Sequence, residues 1–321
     1  MNLRRSFAAT VGLFSVVTGA ELYARKMEII RTRAGQATIF RDSIEIRDGT
    51  TVITSKRAKL VEAENWAMLC DSVRVQTPEA LVRADSVVYD FRSKRCLLYA
   101  YPKKQVIIED ESVLITAVAV EYLITNSMVI APMGLQAKAK NSSYIISGRS
   151  GRIDMNQRIA IIDSEPVTYV TDEDQDSKTV IKANKSRYFI NEKTITNEGN
   201  VRVQTGAARL DCDTAVYFLP RDSGIAWGRP VIQDSLGFAQ TDSIIILLKQ
   251  KKLPRVTLIG KTEASYQTDN GDTIRLTASS LNIKMENGKI TQIATTNLHS
   301  GQLIKKNRQL NRLSPGENKN R

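Results

Sequence analysis

From residue 35 onward the chain carries no apolar 3.6-residue period of useful length. Apolar and polar residues alternate instead in short runs separated by polar turns, the pattern of half-buried strands. The runs recur. Asp71 to Ala100 (DSVRVQTPEALVRADSVVYDFRSKRCLLYA) and Gly199 to Gly228 (GNVRVQTGAARLDCDTAVYFLPRDSGIAWG) align over 30 residues without a gap. With Ala84 as anchor, the equivalent positions are Ser55, Ala84, Ala117, Gly148, Ala183, Cys212, Thr241 and Ala278, all small, at spacings of 29, 33, 31, 35, 29, 29 and 37 residues. Two residues before the anchor stand Ile53, Val82, Ile115, Ile146, Ile181, Leu210, Ala239 and Leu276. Five residues after it stand Leu60, Tyr89, Tyr122, Ile153, Tyr188, Tyr217, Ile246 and Ile283. Columns that agree over eight units mark a repeat protein, in which each unit buries its apolar face only by stacking on its neighbours.

The columns also carry geometry. Side chains alternate faces along a strand, so positions two before and zero share one face, while positions three and five after share the other. Both pairs read as interior, which requires the strand to bend or bulge between them, at the polar step holding Lys56, Asp85, Asn184, Asp213 and Asp242. Beyond the aromatic column come polar turns, such as Arg92-Ser93-Lys94, Asn191-Glu192-Lys193 and Glu286-Asn287-Gly288, and then return strands such as CLLYA, TIT and KITQIA. That is hairpin logic, so neighbouring strands are mainly antiparallel. The expectation is an all-β fold of about eight units of about 30 residues, each with two to three short strands.

A length of 321 residues suggests two domains by itself, and the repeat overrides that prior. With 42% hydrophobic and 25% charged residues, and only 17 Gly and 8 Pro, the composition excludes collagen, wholesale disorder and a multi-span membrane protein. The single histidine, His299, lies close to a polar tail and removes most zinc-site and Ser-His-Asp or Cys-His proposals, so the reading is non-enzymatic, with no catalytic residues, metal or cofactor. Cys70, Cys96 and Cys212 are odd in number and too sparse for a disulfide framework, and read as small buried hydrophobes. The net charge of +12 sits mostly at the ends. Residues 1 to 33 hold six basic against two acidic residues, residues 303 to 321 six against one, and the body carries only about +3 with both signs interleaved. No basic stripe is present, so nucleic acid is not an expected partner.

Met1 to Arg5 is a short basic start, followed by the uncharged apolar run Phe7 to Val17 and by Thr18-Gly19-Ala20. This is the layout of an export signal over residues 1–20, cleaved after Ala20, with Leu22-Tyr23-Ala24 a poorer site. The alternative is a retained membrane anchor, although Glu21 cuts the apolar run short of a full span. No cysteine precedes Cys70, which excludes a lipidated mature start. Residues 302–321 are basic, lack apolar periodicity and are expected to be disordered when free.

The segments GNVRVQTGAARLDCDTAVYF and DSVRVQTPEALVRADSVVYD resemble the repeat of OstA-like proteins, the LptA and LptC type of periplasmic component in lipopolysaccharide export, with its G-N-V-x-V strand, L-x-A-D-x-A-x-Y strand and turn. The resemblance covers about residues 35–297 and is clearest in units two and six. Units one, four and seven depart from it, with Arg57-Ala58-Lys59, Gly148-Arg149-Ser150-Gly151 and an isoleucine in the aromatic column. It implies a β-jellyroll, or β-taco: two sheets folded into a V whose apolar interior holds the acyl chains of lipid A. The groove lining that follows is Val82, Tyr89, Ile115, Tyr122, Ile146, Ile181, Tyr188, Leu210, Tyr217, Ile246, Leu276 and Ile283. The implied location is the periplasm, and the implied partners are lipopolysaccharide and other jellyroll-type envelope transport proteins. Unpaired strand edges at the two ends of an open jellyroll would pair head to tail with such partners or with a second copy, through Ile39 to Ile46 and Ile283 to Ile293.

The energetics suit such a carrier. A methylene exposed to water costs about 0.8 kcal/mol, so a chain of about twelve carbons costs roughly 10 kcal/mol, which an apolar trough removes without any reaction. The same columns also suit a closed, dry core in a structural or adhesive repeat protein. An exported β-solenoid acting on polysaccharide is a third reading, set back by hairpin turns and long rungs. Asp85, Asp213 and Asp242 share one column and form either a solvated corner or a carboxylate ladder for calcium. Trp66 and Trp227 fall in different phases of the repeat and are expected to pack. Asn141-Ser142-Ser143 has the form of a glycosylation site, without meaning in a bacterial periplasm.

Overall fold

The structure is a computed structural model, and it describes residues 4–7, 12–15, 19–32, 35–101, 105–140, 144–171, 178–249, 252–286 and 289–305. The described chain is all β: twenty-seven strands and three single-turn 3-10 segments, with every strand pairing antiparallel. Asn141-Ser142-Ser143 and residues 306–321 lie outside the described residues.

Each long strand shows why the repeat folds as it does. Along Thr51–Val61 burial alternates through Thr51, Ile53 and Ser55, then slips by one residue to Ala58 and Leu60, with Lys56 and Arg57 left exposed between. Leu81–Asp90 does the same, burying Val82 before the slip and Val87 and Tyr89 after it. The ladders slip at matching places, between Thr54 and Arg57, Cys70 and Val73, Glu198 and Val201, and Ile259 and Thr262. A strand whose two halves must both turn apolar side chains inward has no other way to satisfy a period of two.

The bends divide the molecule into two walls. The strand halves that hold Ile53, Val75 and Val82 pair only with one another and form wall 1; the halves that hold Leu60, Ala67 and Tyr89 form wall 2. Strands cross from wall to wall along one seam, while hairpin turns lie on the two free rims. Three crossings share one device. The side chains of Asn184, Asp213 and Asp242 lie against the next crossing at Gly199, Gly228 and Gly260, whose φ angles are +74°, +84° and +96°. A Cβ at Gly228 or Gly260 would fall 2.4 or 2.1 Å from the aspartate, so glycine is required both for its backbone and for the space. Asp242 Oδ2 accepts from the Lys261 N–H at 2.9 Å, and Asp85 Oδ2 accepts from the Tyr101 N–H at 2.8 Å. The aspartate column is thus engaged with backbone at the seam.

At the N-terminal end Arg4–Phe7 pairs with Lys26–Thr32 and Gly12–Ser15 with Glu21–Ala24. Of residues 1–20, positions 1–3, 8–11 and 16–18 lie outside the described residues. No helix of the described residues is long and apolar enough to cross a membrane. At the other end the last strand, Lys289–Ile304, pairs along its whole length with Thr273–Glu286, so the ladder runs through Gln302 to Ile304. Outward faces are charged and paired across strands, as in Lys140 and Arg83 on Glu109 at 2.9 and 3.0 Å, which accounts for the nearly balanced charge of the body. Trp66 is half-buried and donates from Nε1 to Glu64, whereas Trp227, expected to pack, is exposed near the seam.

Candidate functional site

The register turns sequence columns into straight rows. On wall 1 the pairs Ile53↔Val75, Val75↔Val82, Val82↔Ile108, Ile108↔Ile115, Ile115↔Ala137 and Ala137↔Ile146 lie end to end. The row continues through Thr168, Ile181, Val203, Leu210, Ile232, Ala239 and Ala264 to Leu276. On wall 2 the row is Leu60, Ala67, Tyr89, Cys96, Tyr122, Val129, Ile153, Ala160, Tyr188, Ile195, Tyr217, Gly224, Ile246, Val256 and Ile283. Each ring therefore stands beside at least one small neighbour: Tyr89 between Ala67 and Cys96, Tyr122 next to Cys96, Tyr188 next to Ala160 and Tyr217 next to Gly224. The alternation lets rings fill the interior without overpacking.

All twelve expected lining residues lie on these two rows and point inward. Val82, Tyr89, Ile115, Tyr122, Ile146, Ile181, Tyr188 and Leu210 are buried; Tyr217, Ile246, Leu276 and Ile283 are half-buried. The difference follows position along the chain, and the interior has two sections.

In the first section the rims are tied to each other. The Tyr89 hydroxyl, on wall 2, donates to Asp48 Oδ2 on the rim of wall 1 at 2.5 Å, and Lys94 also reaches Asp48. Tyr122 and Thr77 share a hydrogen bond of 3.1 Å between hydroxyls. Arg158 donates to Asp110 at 2.7 Å and to the Ser112 hydroxyl at 2.6 Å. Tyr144 donates to the Tyr217 hydroxyl at 2.7 Å, and Tyr217 donates to Asp222. Burial raises the pKa of Tyr89, and its bond to Asp48 adds to the rise; burial likewise raises Tyr217, with Asp222 next in effect. Burial also raises Tyr122 and Tyr188, the latter with a smaller push from the Asp110 charge. These hydroxyls therefore keep their protons throughout the neutral range. Among the described residues every strand pairing stays within one wall, so side chains alone span the mouth.

In the second section the tyrosine column becomes Ile246 and Ile283, which have no hydroxyl to reach the far rim. Here the walls line a partly open pocket of about 110 Å³. Wall 1 contributes Ala208, Ile232, Phe238, Ala264, Ile274 and Leu276; wall 2 contributes Val256, Leu281, Ile283, Ile290 and Ile293. Gln233, Asp234, Ser265 and Tyr266 supply the polar part of its boundary. Phe238, Leu303 and Ile304 nearby are exposed. The arrangement offers apolar volume beside a polar rim.

Sequence reasoning missed two columns that its own alignment contains. Seven residues after the anchor stand Glu62, Phe91, Ile124, Met155, Ile190 and Leu219, and ten after it Asn65, Lys94, Ser127, Arg158, Lys193 and Asp222. The second set all have positive φ, between 47° and 58°. From Phe91 onward each of the first set donates its N–H to the carbonyl of the preceding turn's positive-φ residue, as in Phe91 to Asn65 and Ile124 to Lys94. This stacks the wall 2 turns and places Lys94, Arg158 and Asp222 where they take part in the rim ties. The mixed side chains at this position hid the column, because the requirement is one of backbone.

No family model matches the sequence, and no curated protein matches it. Among solved structures the chain is similar to LptH from Pseudomonas aeruginosa, described as the LptA-homologous periplasmic component of the conserved lipopolysaccharide transport device. The two are 13% identical, with a TM-score of 0.32, over 36% of this chain and 82% of that one.

Proposed function

We propose that this chain is a non-catalytic carrier that shields the acyl chains of an amphiphile, lipopolysaccharide through its lipid A, between the two walls. The twelve inward residues from Val82 to Ile283 form the lining. In this reading residues 1–20 are an export signal that delivers the chain to the periplasm, residues 35–297 are the carrier domain, and a basic tail follows the last strand, which ends at Ile304. Other jellyroll proteins of the envelope, or a second copy, pair with its terminal strands head to tail. The observation that carries the proposal is the apolar pocket of about 110 Å³ in the section where Ile246 and Ile283 replace tyrosine. An interior serving stability alone has no use for such a space, since its lining forfeits contacts.

The test is extraction of the protein from its native envelope, with mass spectrometry of what co-purifies, followed by displacement of a fluorescent fatty acid by lipopolysaccharide. Retained lipid A species and stoichiometric displacement support the carrier. The tightly buried first section favours a second reading, a structural repeat protein with a dry core. Lipid-free protein that binds no fatty acid would establish that reading instead.

A further inference from the structure

Four ties close the mouth over the first section, and each lies on the rims: Asp48 with Tyr89 and Lys94, Thr77 with Tyr122, Asp110 with Arg158, and Tyr144 with Tyr217. The opposite edge is continuous chain, bent at glycines and bulges that already hold unusual backbone angles. Backbone ladders run within each wall and none joins wall to wall across the mouth among the described residues. The two edges thus differ in kind. One is covalent and bent at the seam; the other is held by a few hydrogen bonds and ion pairs of side chains. A bond between neutral hydroxyls is a weak closure, since its net contribution is small once water replaces it. The rings that make three of the ties also occupy the interior, so a ligand in the first section must displace them.

We infer that these ties are a rim latch: the trough fills from the C-terminal section, and the first section admits a chain only when its ties release. The inference rests on the carrier reading above and deepens it, by assigning regulation of the same interior to residues outside the apolar rows, above all Asp48, Lys94, Asp110 and Arg158.

The test uses the full chain and a twelve-carbon fatty acid bearing a terminal diazirine, with insertion sites mapped by proteolysis and mass spectrometry. In the wild type, insertions fall on peptides holding Ile232, Leu276 and Ile283. In Tyr122→Phe/Tyr217→Phe, which removes hydroxyls and keeps the rings, insertions spread to peptides holding Val82 and Ile115. Their share rises about tenfold, the change that two net hydrogen bonds carry. Thermal melting checks that the variant folds; Arg158→Met, which removes the whole tie to Asp110 and Ser112, provides the same comparison if it does not. Insertions confined to the C-terminal section in wild type and folded variants alike overturn the latch and leave the carrier standing. Insertions spread over both sections in the wild type also overturn the latch. No insertion in any protein overturns the carrier reading and the latch together.

Discussion

Truncating one residue in each section gives different losses if the interior is packed in one and hollow in the other. Ile115 is fully buried between Ile108 and Ala137 on its own wall. Ile115→Ala deletes three carbons, worth about 2.4 kcal/mol in transfer alone, and a filled surrounding that relaxes only partly raises the cost to about 3–4 kcal/mol. Leu276 is half-buried and already borders the pocket. Leu276→Ala removes the same number of carbons from a site that is only partly dry and opens little new surface, so its cost is about 1–1.5 kcal/mol. Urea unfolding followed by intrinsic fluorescence and by circular dichroism measures both, with coincidence of the two probes checking that one transition is being read. Equal losses at the two sites, or a larger loss at Leu276, would refute the division into a filled and a hollow section.

Other outcomes follow from single residues. Ile181→Asp places an unpaired carboxylate on the inner row and costs several kcal/mol, about 3 or more, whereas Asn184→Asp, on the exposed corner three residues away, shifts the thermal midpoint little. Gly260→Ala meets both a φ of +96° and the Asp242 side chain, and destabilises by about 1–3 kcal/mol; Gly260→Ala/Asp242→Ala removes the carboxylate part of the clash but leaves the Cβ of residue 242 at 2.6 Å and the backbone angle, so melting shows only partial recovery. A thiol reagent on folded protein labels half-buried Cys70 first, because burial pushes the Cys212 thiol up to about 12 and Cys96 higher still; peptide mapping over time reads the order. Light scattering over a concentration series, with crosslinking to envelope partners, checks strand pairing at Lys289–Ile304, and strict monomers without any crosslink would exclude it.

Much of the fold is legible in the chain because its repeat units are consecutive. The small anchor, the apolar residue two before it and the ring five after it report local strand parity, and Lys56, Asp85 and Asp242 mark the bend because a polar residue at the seam is solvated or bonded to the backbone of the next crossing. The rim ties are not legible in the same way. Asp48 and Tyr89 are 41 residues apart, Thr77 and Tyr122 45, Asp110 and Arg158 48, and Tyr144 and Tyr217 73. Those separations are not one repeat length, because they depend on how far one wall is displaced along the other. Periodicity describes each wall by itself and carries no information about that displacement. The pocket escaped notice for a related reason: replacing tyrosine by Ile246 and Ile283 looks conservative by hydropathy, yet it deletes both a ring and a cross-mouth donor.

The straight rows make the length of the interior a counted quantity. Neighbouring strands lie about 4.8 Å apart, so the fourteen steps from Ile53 to Leu276 along wall 1 span roughly 67 Å, and each repeat unit adds about 10 Å as two further strands per wall. Because the anchors Ala183 and Cys212 occupy equivalent positions, excising the 29 residues from Ala183 to Asp211 rejoins one unit to the next in phase. Reach in this architecture therefore changes in whole increments, as on a ruler with fixed divisions, and two such proteins differ in span by a number of units before they differ in cross-section.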